Sequence, residues 1–101
     1  MIGTLIAIGP NTDRPVEHNP SWRDMGNGKF NYLAIPGLEN GKPCKFQELP
    51  TVGYRFRADL GGGHNIDTSL VMEQRPEYVE NYTLIFKTYY SIFRLEVGSD
   101  L

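Results

Sequence analysis

Two arginines, Arg55 and Arg57, alternate with two rings, Tyr54 and Phe56, and the run continues through Asp59 and Gly61-Gly62-Gly63 to His64 and Asp67. Three explanations call for residues of these types. Cations along a strand can neutralise nucleic-acid phosphates while aromatic rings stack on the bases. Carboxylates and an imidazole at a glycine-rich bend can hold a divalent ion. A half-buried strand needs nothing more than alternation of apolar and polar side chains.

The nucleic-acid reading draws on the whole chain. Cations and rings also meet at Trp22-Arg23, Lys29-Phe30-Asn31-Tyr32, Lys45-Phe46, Phe86-Lys87 and Phe93-Arg94. Adjacent residues of a strand point to opposite faces, so Tyr54 and Arg55 are not expected to line one groove. The expected site therefore combines Arg55 and Arg57 with Lys29 and Lys45 as phosphate partners. Phe30, Tyr32, Phe46 and Trp22, from neighbouring segments, would stack bases. The competing reading makes these rings core and the arginines a solvated face. For Trp22 the alternatives are an anchor folded back on the core and an exposed platform.

The metal reading rests on Asp59, His64 and Asp67, with no helical histidine spacing or other metal motif to frame them. A polar turn with a solvated histidine accounts for the same residues. His18, near Asp13 and Glu17, is the only other histidine. The three glycines lack the Lys and Ser/Thr of a phosphate-binding loop. Cys44, the single cysteine, has no activating base beside it and reads as a small half-buried thiol. No cofactor is implied, and no catalytic constellation is framed. The sequence therefore points away from an enzyme, with chemistry at Asp59, His64 and Asp67 as the third choice.

Composition sets the limits. The 101 residues suit one domain, spanning 1–101, with 40% apolar and 22% charged residues. Formal charge is −2, so phosphate binding would need a local patch. A lone cysteine, no secretory leader pattern and no 20-residue apolar run lead to the expectation of a soluble cytoplasmic protein.

The supporting elements read as β. Ile2 to Ile8 is rich in β-branched residues, and Gly9-Pro10 ends that run. A proline-rich loop is expected at about 10–28. Asn27-Gly28 and Asn40-Gly41 mark tight turns, and strands are expected at Phe30–Ile35, Cys44–Leu49, Val52–Leu60 and Thr68–Met72. Alternation predicts Tyr54, Phe56, Ala58 and Leu60 on one face and Arg55, Arg57 and Asp59 on the other. Gln74-Arg75-Pro76 is expected to interrupt the strand that begins at Thr68.

The C-terminal segment is ambiguous. Tyr82, Phe86, Tyr89, Phe93 and Val97 follow helical spacing, while β-branched and aromatic composition favours strands. A strand there requires a bulge or bend near Thr88 to Ser91, because the apolar phase changes.

The expected fold is all-β, with a C-terminal helix as the alternative. It is a small antiparallel barrel or sandwich, for which a five-stranded OB-type closure is one solution. The expected function is non-enzymatic binding of single-stranded nucleic acid, as a homo-oligomer. The alternative is a protein–protein assembly, adaptor or inhibitor module without nucleic-acid affinity, using Tyr78, Tyr82, Tyr89, Tyr90 and Trp22.

Overall fold

The computed structural model describes residues 1–13, 18–78 and 82–98. Eight strands dominate: β1 (Ile2–Pro10), β2 (Trp22–Gly26), β3 (Lys29–Tyr32), β4 (Lys42–Lys45), β5 (Arg55–Gly61), β6 (His64–Tyr78), β7 (Tyr82–Thr88) and β8 (Ser91–Val97). Six of them close an antiparallel barrel in the order β1-β4-β5-β6-β7-β8, and β2 with β3 forms a separate two-stranded sheet. The expected all-β antiparallel barrel is present, closed by six strands rather than five. From Tyr82 to Val97 the C-terminal segment is two strands, β7 and β8, and not a helix.

One local expectation is borne out and two are corrected. The bulge or bend expected near Thr88 to Ser91 is a bend: a turn at Tyr89-Tyr90 reverses the chain between β7 and β8. Thr88 Oγ1 accepts from the Ser91 N–H at 3.2 Å inside that turn. Pro76 does not interrupt the preceding strand, since β6 runs through it, with Pro76 opposite Leu84. Proline tolerates this position because, among the described residues, the other edge of β6 has no strand beside it there. Part of the segment read as loop, Trp22–Gly26, is strand β2.

Of the two expected Asn-Gly turns, Asn27-Gly28 forms a hairpin turn, whereas Asn40-Gly41 ends a 3-10 turn, Leu38–Asn40, with the Gly41 N–H donating to the Leu38 carbonyl. Asn27 at φ 55° and Gly28 at φ 75° join β2 to β3, and Gly62 and Gly63, at φ 60° and 81°, join β5 to β6. Left-handed backbone at both central positions matches the twist of a hairpin.

Six rings form one continuous chain through the interior. Phe46 meets Phe56 at 5.8 Å between centroids, Phe56 meets Phe86 at 5.1 Å, and Phe86 stacks on Phe93 at 5.2 Å. Phe93 then meets Tyr32 at 5.8 Å, and Tyr32 meets Trp22 edge-on at 5.2 Å. The last two rings belong to the β2–β3 hairpin, so this aromatic chain pins that hairpin to the barrel. Polar anchors hold the same corner. Trp22 Nε1 donates to Ser91 Oγ at 2.8 Å, Asn11 Nδ2 to the Thr88 carbonyl at 3.0 Å, and Asn19 Nδ2 to the Tyr90 carbonyl at 2.8 Å. Buried donors left unpaired would be costly, and these are satisfied.

Candidate nucleic-acid interface

The ring chain decides the fate of the expected stacking platform. Trp22, Tyr32 and Phe46 are 3%, 7% and 4% exposed. No base can reach their faces, so their assignment as stacking rings is overturned. Burial of large rings in a chain of this size outweighs their use at the surface, because each carries a large apolar area into the core. Phe30 is half-buried and packs against the same cluster. Lys29 is exposed, but it lies on the β2–β3 hairpin and does not line the groove described next.

The cations fare differently. Lys45, Arg55 and Arg57 are exposed and line one open groove of about 1050 Å³ between β4, β5 and β6. Lys45 stands opposite Asp59, the one residue pair that joins β4 to β5. The groove therefore follows the barrel's thinnest seam. Its aromatic wall is Tyr54, 67% exposed.

Sequence alternation missed this ring in two ways. It put Tyr54 on the buried face with Phe56 and Ala58, and it separated Tyr54 from Arg55. Phe56 and Ala58 are buried as expected, but Tyr54 precedes the strand. The Tyr54 N–H donates to the Thr51 carbonyl at 3.1 Å, closing a turn. A residue in a turn does not obey the two-residue period of the strand that follows it.

Carboxylates oppose the cations. Arg57 Nε lies 3.4 Å from Asp67 Oδ1, with both side chains well exposed. Such a pair contributes about 0.2–1 kcal/mol and yields readily to a competing anion. Asp59 Oδ1 accepts from the Gly61 N–H at 2.8 Å. Glu48 completes the acidic side, so three basic and three acidic side chains line the groove. Arg55 has no ion-pair partner among the described residues, and Leu70 is opposite it in register. Of the two arginines lining the groove, it is the one without a carboxylate partner among the described residues.

Asp59, His64 and Asp67, the weak candidates for a metal site, are each engaged or placed separately. Among the described residues, no group of three His, Cys, Asp or Glu side chains is arranged to hold an ion. Asp67 is engaged by Arg57, Asp59 by a backbone amide, and His64 is exposed beside Gly62 in the hairpin turn. His18 is exposed, and Glu17 lies outside the described residues, as does the side chain of Tyr78.

Cys44 is more deeply buried than expected, at 3% exposure. Burial pushes its thiol up to about 11, against a smaller opposing effect of a Gly3 backbone hydrogen bond. Two outcomes follow. Native protein at pH 8 is expected to resist a thiol-labelling reagent, and full labelling is expected in denaturant. The folded state holds the thiol proton more tightly than the unfolded state. The thiol's contribution to stability is therefore intact below the ordinary value of 9.0 and is lost as pH rises towards about 11. Rapid native labelling at pH 8 would contradict the burial.

Fold and groove together define a closed, six-stranded antiparallel β-barrel with a mixed-charge, tyrosine-walled groove along its β4–β5 seam. Comparison with protein-family models, curated proteins and solved structures finds no match. Among the described residues, no helix is long and apolar enough to cross a membrane.

Proposed function

We propose that this protein binds single-stranded nucleic acid in the groove of Lys45, Arg55, Arg57 and Tyr54. The observation that carries the reading is the presence of three exposed cations and the open ring of Tyr54 along one concavity. Phosphates take the place of Asp67 on Arg57 and meet Arg55 and Lys45 directly. A base stacks on Tyr54, an interaction that contributes about 1–3 kcal/mol and tolerates any base. Glu48, Asp59 and Asp67 keep the attraction local and modest, in line with the slight negative charge of the whole chain.

A titration of fluorescent oligothymidine at several salt concentrations tests the proposal. Affinity is expected to fall linearly with salt on logarithmic axes, because phosphate contacts release counterions. Absence of binding at low salt would overturn it.

A second reading, a protein-binding module without nucleic-acid affinity, is favoured by one separate observation. Val52, Leu70 and Met72 are each more than half exposed, and the Gly53 N–H bond to the Val71 carbonyl brings their segments side by side. Contiguous exposed apolar residues of this kind mark contact surfaces.

A further inference from the structure

Strand β6 changes partners halfway along. Residues from His64 to Leu70 pair with β5, and residues from Val71 to Tyr78 pair with β7. The last backbone bonds on the β5 side are Gly53 N–H to the Val71 carbonyl at 2.9 Å and Val71 N–H to the Tyr54 carbonyl at 2.8 Å. Beyond them, Met72 to Tyr78 has no strand on that side among the described residues, and Gln74 reaches back to the chain before Gly53 only through its side chain, with Nε2 donating to the Pro50 carbonyl at 2.9 Å. An open strand edge is a template for another strand.

The side chains along this edge are self-complementary in one register. Suppose two copies of the edge pair antiparallel about a two-fold axis at Gln74. Glu73 of each copy then lies opposite Arg75 of the other, and Met72 lies opposite Pro76. Moving the axis to Arg75 would oppose Arg75 to itself and Glu73 to Glu77, a clash of like charges at both places. Cross-strand pairs of opposite charge stabilise and like pairs destabilise, so charge selects the Gln74 register.

The faces agree with this choice. Gln74 is opposite the fully buried Phe86, while Glu73 and Arg75 are exposed and stand opposite Lys87 and Ile85. Pro76 offers no N–H, so the paired stretch ends there, against the exposed Met72. An isologous contact of this kind closes at two copies, with no free surface left to propagate it.

We propose that the β6 edge from Met72 to Pro76 is a self-association surface that pairs two copies of this chain about Gln74. The proposal is independent of nucleic acid, and its test is run without any. Sedimentation equilibrium of the full chain is measured over a concentration series. The wild type is expected to approach the mass of two chains. Glu73→Arg and Arg75→Glu each place two like-charge pairs in the contact and are expected to weaken dimerisation about tenfold or more. The double variant exchanges both signs, restores both pairs and is expected to recover the dimer.

Glu73 also lies 3.7 Å from Lys87 within the same chain. Losing that contact would move the thermal melt, which is recorded for every variant, but not the mass. A monomeric wild type, a mass above two chains, a dimer indifferent to either single change, or a folded double variant that stays monomeric would each overturn the proposal.

Discussion

Replacing Phe86 with alanine is expected to lower the melting temperature by about 12–40 °C. Phe86 is fully buried and lies at the middle of the ring chain, between Phe56 at 5.1 Å and Phe93 at 5.2 Å. Truncating a buried phenylalanine typically costs about 3–5 kcal/mol in lost transfer energy and cavity formation. Each favourable ring pair adds roughly 0.5–1.5 kcal/mol beyond area. A domain of this size has only about 5–15 kcal/mol in total. At about 4–8 °C per kcal/mol the loss is easily seen by circular dichroism. Phe86→Leu, which refills most of the volume, should recover a large part of the shift. A fall of only a few degrees for the alanine variant would mean that the ring chain is not the main support of the barrel.

The second large effect concerns the groove. Lys45→Ala, Arg55→Ala and Arg57→Ala combined should flatten the logarithmic salt dependence of oligothymidine binding by about 2, at roughly 0.7 for each phosphate contact on a single strand. The same relation gives about an eightfold loss per contact near 0.05 M salt. Arg57 already has Asp67 as a partner, so the combined loss is expected to be on the order of 100-fold and not the full product. Tyr54→Ala should weaken binding without changing the slope, because stacking releases no counterions. Lys29→Ala, outside the groove, is expected to leave both quantities unchanged. A triple variant that binds like the wild type would place the contact elsewhere or abolish the nucleic-acid reading.

These residues also show where a sequence is legible and where it is not. Phe56 and Ala58 announce the inner face of β5 because alternation within a strand is a local property, and both are buried. Tyr54 escapes the same rule because Gly53, at φ 93°, belongs to a turn that resets the phase before the strand begins. The pairing of Arg57 with Asp67 was hidden for a related reason. Counting outward from the Gly62-Gly63 turn gives Gly61 opposite His64 and predicts Thr68 opposite Arg57. A register shift between Asp59 and Gly61 brings Asp67 there instead.

The rings posed a different difficulty. Trp22, Tyr32 and Phe46 have the composition of a stacking surface. Only the closure of the barrel reveals that each is the next member of an interior series. Long-range packing of that kind leaves no local mark in the chain.

The lone indole has a practical consequence. Trp22 is held by Ser91 Oγ and lies edge-on to Tyr32, at the opposite end of the aromatic series from Phe46, which borders the groove. Its ultraviolet emission is therefore a built-in gauge of whether the β2–β3 hairpin is docked, and it is silent about what occupies the seam. Occupancy has to be read from a dye on the oligonucleotide, while the protein's own light reports its integrity in the same cuvette.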